Sequence, residues 1–215
     1  MNEAVEAALK LLVLAFSIIM HEVAHGYAAY LLGDPTAKNA NRLTLNPIPH
    51  IDIMGTIILP LLLVSSGSGV VFGWAKPVPV DPRYFRNPKR DGVVVSLAGV
   101  TTNVLIAVVM AALFRILQPA AGTPLWLFLI WGCFINLLLC VFNMVPIPPL
   151  DGSHIVAALL PQRLARGYAA IGRFGFLIIF GLLYIRAFAV ILMIIVTIPM
   201  MVLLGDGQNW TGIFK

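Results

Sequence analysis

The chain has 215 residues, 60% of them hydrophobic and only 11% charged, with a mean hydropathy of +0.96. Soluble domains carry charge at about a quarter of their positions, and a chain this short cannot enclose so much apolar side chain in one water-surrounded core, so a soluble globular domain is excluded and lipid must solvate several segments. The net charge of +5 does not point to nucleic acid, because the Lys and Arg residues fall in the gaps between apolar runs, as the loop charges of membrane proteins do.

The first apolar run predicts a helix over residues 4–32, ended by Gly33-Asp34-Pro35. It starts with Glu3, Glu6 and Lys10 and continues through a polar motif. A secretory leader has a basic start and a small-residue cleavage site, so the run is read as a retained membrane helix. In residues 36–52, Arg42-Leu43-Thr44-Leu45 alternates polar and apolar, and Asn46-Pro47 and Pro49 punctuate it. This predicts a short membrane-associated strand or β-hairpin. Residues 53–64 are apolar but fall short of the roughly 20 residues of a span. With Pro60 inside, they read as a re-entrant segment, with a true span as the competitor. Residues 65–92 form a loop rich in Gly, Pro and basic residues.

Two clear spans follow, over 93–117 and 125–145, the second ending in Pro146, Pro148 and Pro149. A short helix is expected over 153–160 and a basic loop over 161–173, with Arg163, Arg166 and Arg173. The last apolar region, 174–204, is interrupted by Arg186 and forms one tilted helix or two short ones. The expected class is an all-α polytopic membrane protein with four to six transmembrane helices and a short β-hairpin or re-entrant segment. Residues 1–215 then form a single integral-membrane domain, with its core over 4–160 and a C-terminal transmembrane region over 174–204. Cys133 and Cys140 lie in one apolar run and imply no disulfide framework.

The two basic loops predict the orientation, because Lys and Arg concentrate on the cytoplasmic side. Two spans separate them, so both can face the cytoplasm. The polar motifs at 21–25 and 151 then lie toward that side, provided that 53–64 re-enters.

His21-Glu22-Val23-Ala24-His25 carries the strongest chemical signal. On a helix the two histidines sit one turn apart on one face, where both imidazoles can hold one zinc ion, and Glu22 lies beside them as a base for water. Ionisable groups in a membrane helix are costly without a partner, and a metal supplies one. A catalytic zinc takes three protein ligands and leaves a fourth position open. Asp151, after the proline run and before Gly152, is the candidate third ligand; the competing use is an N-cap for the helix that follows. His154 could support the site, and His50 and Asp52 read as interfacial or structural. An intramembrane Asn usually bonds a neighbouring helix, but Asn143, near Asp151 in the sequence, is read as a catalytic residue that holds a substrate carbonyl or an oxyanion; Asn103 could serve either use.

These residues together resemble the site-2 protease family of intramembrane zinc metalloproteases. The resemblance rests on His21 to His25, Ala98-Gly99 followed by Asn103, Asn143 through Gly152, Leu45-Asn46-Pro47 to Gly55-Thr56, and Gly73-Trp74-Ala75-Lys76-Pro77-Val78-Pro79-Val80. It covers residues 20–155 and fits the short, mostly prokaryotic branch without a PDZ domain. The chain departs from the family at Val100, where proline is usual, and at Asn41, where glycine is common. The resemblance implies one Zn2+ per chain on His21, His25 and Asp151, with Glu22 activating water. It also implies a transmembrane protein as substrate, cut within or next to its membrane helix, and pairing of that substrate with the segment of Arg42, Thr44 and Asn46. The expected location is a prokaryotic cell membrane, with the lipid bilayer as partner and no nucleic acid. A metal-ion transporter and an inactive binder of membrane helices are the alternatives. A transporter needs ligands along a path, whereas these gather at one depth, and a binder has no use for Glu22.

Overall fold

A computed structural model describes residues 3–65, 73–205 and 210. Helix α1 (Glu3–Leu31) is followed by the one-turn α2 (Thr36–Asn39), a 3-10 turn at Ile48–His50, a π-helical stretch at Ile53–Ile58 and α3 (Leu59–Ser65). After an extended segment and a turn at Pro82–Tyr84 come α4 (Pro88–Leu117), α5 (Pro124–Asn143), α6 (Asp151–Leu159), α7 (Gln162–Ala170), α8 (Gly172–Tyr184) and α9 (Arg186–Leu204). Among the described residues four helices, within α1 and over α4, α5 and α9, are long and apolar enough to cross a membrane. At 1.5 Å per residue even α9 reaches about 28 Å, close to the thickness of a hydrocarbon core. The all-α polytopic expectation therefore holds.

Helix α4 packs along both α1 and α5, and α9 lies against α5. Lipid gives helices no hydrophobic reason to associate, so close approach through small residues matters more. Ala107 and Ala111 on α4 are fully enclosed among Val13, Phe114, Ile130, Cys133 and Val196. Large apolar residues such as Leu105, Ile116 and Val202 face outward, the inverse of a soluble protein's surface.

Three expectations are corrected. There is no strand among the described residues, and the β-hairpin expected near 42–46 is a series of turns. Asn41 takes a left-handed φ of 52°, a conformation that Asn tolerates better than most residues, and turns the chain there. Asn46 then accepts from the Ile48 amide at 3.1 Å, and Pro47 and Pro49 have no N–H to give to a ladder. The basic loop over 161–173 is mostly the helix α7, whose strongly basic face hid an amphipathic pattern. It meets α8 at a bend of 59°. Of the two forms expected for the last apolar region, the two-helix one is found, α8 and α9, joined at Ile185. Helix α4 also begins earlier than expected, at Pro88. Proline suits a first helical position, and Asp91 accepts from the Asn87 amide at 3.0 Å.

Candidate metal centre

His21 and His25 stand one turn apart on α1 with their rings edge to face, centroids 4.4 Å apart. Each ring is fixed through its Nδ1. His25 Nδ1 lies 2.7 Å from the Val95 carbonyl oxygen, which can only accept, so the ring proton sits on Nδ1. His21 Nδ1 donates to Asn103 Oδ1 at 2.5 Å. Both Nε2 atoms therefore present lone pairs, and they face each other at 2.8 Å. Asp151 closes the group, with Oδ2 3.1 Å from His21 Nε2 and Oδ1 3.3 Å from His25 Nε2. One ligand atom from each of the three lies within 4.8 Å of the others.

This arrangement fits a cation. With each imidazole neutral and its proton on Nδ1, three acceptors converge, and Asp151 Oδ2, although close to His21 Nε2, is buried without a hydrogen-bond donor. That is the outcome expected when the imidazole proton is on the opposite nitrogen. Two neutral imidazoles and one carboxylate, each imidazole anchored by its other N–H, form a donor set typical of a divalent metal site.

The backbone around the centre explains its compactness. Val95, Gly99 and Asn103 recur every fourth residue of α4 and line one stripe facing α1. A Cβ at Gly99 would stand 2.5 Å from His25 Nε2 and 2.7 Å from His21 Cε1, so only glycine lets α4 approach the rings. Asp151 opens α6 after the turn that leaves α5. A Cβ on the adjacent Gly152 would run into the Met144 carbonyl and come 3.0 Å from that of Val145. The helix N-cap position falls on Leu150, with no side-chain cap, so Asp151 is not spent on capping.

Glu22 lies outside the three-ligand group, one residue beyond His21. Its Oε2 accepts the backbone N–H of Val78 at 2.7 Å. Val78 belongs to the extended segment 73–81, which runs past α1 and is tied down by Asp34, whose carboxylate accepts the Asp81 amide at 2.7 Å. An apolar cavity of about 250 Å³ lies farther along α1, lined by Leu11, Ile18, Ile51, Gly55 and Trp74 among others. Ile18 is one turn from Glu22 on the same helix face.

The remaining candidates lie elsewhere or serve other ends. Asn103 is fully buried. Its oxygen holds His21 and its nitrogen donates to Asn136 at 2.9 Å, so it is not free for the substrate contact expected of it. Asn143 donates to Leu139 O within its own helix at 3.0 Å. Arg42 is buried and donates to Lys76 O at 2.6 Å. Thr44 O accepts from His50 Nε2 at 2.9 Å. With Asn46 spent on the turn, the segment offers turns in place of the extended edge expected for substrate pairing. His154 is exposed on α6, and Asp52 caps the π-helical stretch through the Gly55 amide. Sequence reasoning missed Asn136, Ser17 and the Val78 amide. Asn136 had a signal, an amide in the middle of an apolar span; a backbone donor has none.

The site and the apolar helices together define a candidate metal centre carried on a membrane-protein scaffold. The comparisons carry this to a family. The profile of peptidase family M50 matches residues 118–182. The chain is 42% identical over 172 residues to "Putative zinc metalloprotease YwhC" of Bacillus subtilis, covering 77% of this chain and 75% of that protein. It is 31% identical over 170 residues to "Putative zinc metalloprotease Rip2" of Mycolicibacterium smegmatis, covering 78% of this chain and 63% of the relative. Against Rip2 of Mycobacterium tuberculosis H37Rv the identity is 33% over 146 residues, or 68% and 54% of the two chains. No solved structure matches the chain significantly. The chain belongs to peptidase family M50, the site-2 protease family that its motifs resemble.

Proposed function

We propose that the chain is a zinc metalloendopeptidase that hydrolyses peptide bonds within or next to the transmembrane segments of other membrane proteins. The observation that carries this is the convergence of the His21 and His25 lone pairs on the Asp151 carboxylate, with Glu22 beside the group but outside it. His21, His25 and Asp151 would hold the ion. When bound, zinc polarises a carbonyl oxygen and makes a water nucleophilic near neutral pH.

The chain's own residues supply the rest. Val78 N–H holds one oxygen of Glu22, which leaves the other to take a proton from water and return it to the departing amine. The buried Nδ1 contacts fix both imidazoles in direction, each with its Nε2 toward the centre. The cavity beside Ile18 and Trp74 suits an apolar side chain of an unwound substrate, one helical turn from the base. Asn143, at the end of α5, could turn to an oxyanion only by giving up its bond to Leu139 O.

The same reading places the active site toward the cytoplasmic side of a prokaryotic cell membrane. Lys89 Nζ donates to Leu160 O at 2.9 Å, which supports both basic segments, 65–92 and 161–173, lying at one end of the bundle. Basic segments gathered at one end are the cytoplasmic signature. Residues 53–64 would then re-enter, a backbone path that is tolerated where protein covers it; Trp74 lies against Gly55 there.

Glu22→Gln tests the function. Cleavage of a model transmembrane peptide should fall by roughly 100- to 10,000-fold, the range of general-base contributions, while zinc content stays unchanged because no ligand is lost. Near-normal cleavage would rule out Glu22 as the base.

A further inference from the structure

His21 could in principle carry its proton on either nitrogen. What settles the matter is Asn103, whose amide can present either oxygen or nitrogen to the ring. A nitrogen there would donate to Nδ1 and force the ring proton onto Nε2, aimed at His25 and Asp151. The orientation of Asn103 therefore decides whether His21 offers a lone pair to the centre.

A chain of buried bonds decides it in turn. Ser17 Oγ donates to Val13 O at 2.7 Å, so its oxygen is left as an acceptor. Gly132 O can only accept. Asn136 faces both, 2.8 Å from Ser17 Oγ and 2.8 Å from Gly132 O, so this side of its amide must be the nitrogen. Its oxygen then points to Asn103 and accepts from Nδ2 at 2.9 Å. That turns the Asn103 oxygen toward His21. Ser17, Asn103 and Asn136 are each fully buried and His21 nearly so, so no water is available to relax the sequence of donors, and a reversed amide would leave two buried clashes of like polarity.

We propose that Asn136, which touches neither the metal ligands nor a substrate, is a positioning residue that sets the tautomer of His21 through Asn103. The proposal rests on the metal reading of His21, His25 and Asp151. Its anchor on α5, Gly132 O, is rigid helix backbone, so the direction of the whole relay is fixed before any metal arrives.

The test uses the full chain in lipid nanodiscs with 15N-labelled histidine, stripped of metal, and Zn2+ alone as the probe. Metal-free wild type should show His21 protonated on Nδ1 as a single tautomer. Asn136→Leu should show His21 as a mixture of tautomers. It should also bind Zn2+ about 10- to 100-fold more weakly in chelator competition, the usual cost of losing an outer partner of a ligand. Asn136→Asp, protonated in its buried site, still accepts from Asn103 and donates to Gly132 O, and should keep near-wild-type affinity. A wild-type His21 protonated on Nε2 overturns the proposal without any variant. So does equal loss in the Leu and Asp variants with the tautomer unchanged, which would mark Asn136 as mere packing. Wild type that binds no Zn2+ would instead overturn the metal reading on which the proposal stands.

Discussion

His50 and His21 are both buried, with His25 partly so, and burial alone would not tell a structural histidine from a ligand. His50 lies in the turns after α2 with both ring nitrogens used by the protein. Nε2 donates to Thr44 O, and Nδ1 faces the Arg42 guanidinium at 3.5 Å. Its own carbonyl receives the Lys76 amide at 2.9 Å, so it ties the 42–50 turns to the 73–81 segment. On α1, by contrast, each histidine spends one nitrogen on a fixed acceptor and leaves the other aimed at its neighbours. A structural histidine is saturated, and a ligand histidine is held on one side and left with a directed lone pair on the other.

Asp151→Ala attacks this distinction most directly. It removes one of three converging ligands, and since losing an outer partner alone costs 10- to 100-fold, zinc affinity should fall by more than about 100-fold. Chelator competition measures it; unchanged affinity would remove Asp151 from the centre. Gly99→Ala comes next. A methyl 2.5 Å from His25 Nε2 must push the ring or α4 aside, an overpacking cost of about 1–3 kcal/mol, so affinity should drop by roughly tenfold or more with the ligands chemically intact. His50→Ala should do the reverse, leaving zinc affinity as it was while lowering thermal stability. The loss should be about 1–3 kcal/mol, because Thr44 O and Arg42 lose a buried partner. Loss of zinc from that variant would bring His50 into the metal site and erase the contrast.

A fourth experiment asks whether the two basic segments, 65–92 and 161–173, sit at one end of the membrane. With Cys133 and Cys140 replaced, single cysteines at the exposed positions Arg83 and Arg166 should both resist an impermeant thiol reagent in intact cells. Labelling of either from outside would break the shared orientation.

Much of this was legible in the sequence because it depends on spacing. The helical repeat puts His21 and His25 on one face whatever surrounds them, and long apolar runs announce membrane helices. The proline run before Asp151 signals a chain that must leave its helix there. What stayed hidden depends on the third dimension. The alternation of Arg42 to Leu45 suggested a strand, but Arg42 reaches Lys76 O and the prolines supply no ladder donors, so the segment turns instead. Asn103 stayed open between a bond to a neighbouring helix and a substrate contact because nothing in its neighbourhood reveals Asn136, which is 33 residues away in the chain. The basic face of α7 read as a loop because charge in a membrane protein is expected between helices.

The Pro77-Val78-Pro79 segment works as a register stop. Prolines carry no N–H, so across these three residues Val78 alone offers a backbone donor, and Glu22 takes it. A slip of the segment by one residue in either direction would set a proline against the carboxylate and forfeit a charge-assisted bond of about 1.5–3 kcal/mol. It would also pull the Val78 side chain from its niche beside Gly26, where no Cβ could be added without meeting it at 2.7 Å. The polypeptide is thus indexed against α1 at a single notch, in the way a detent fixes a sliding scale.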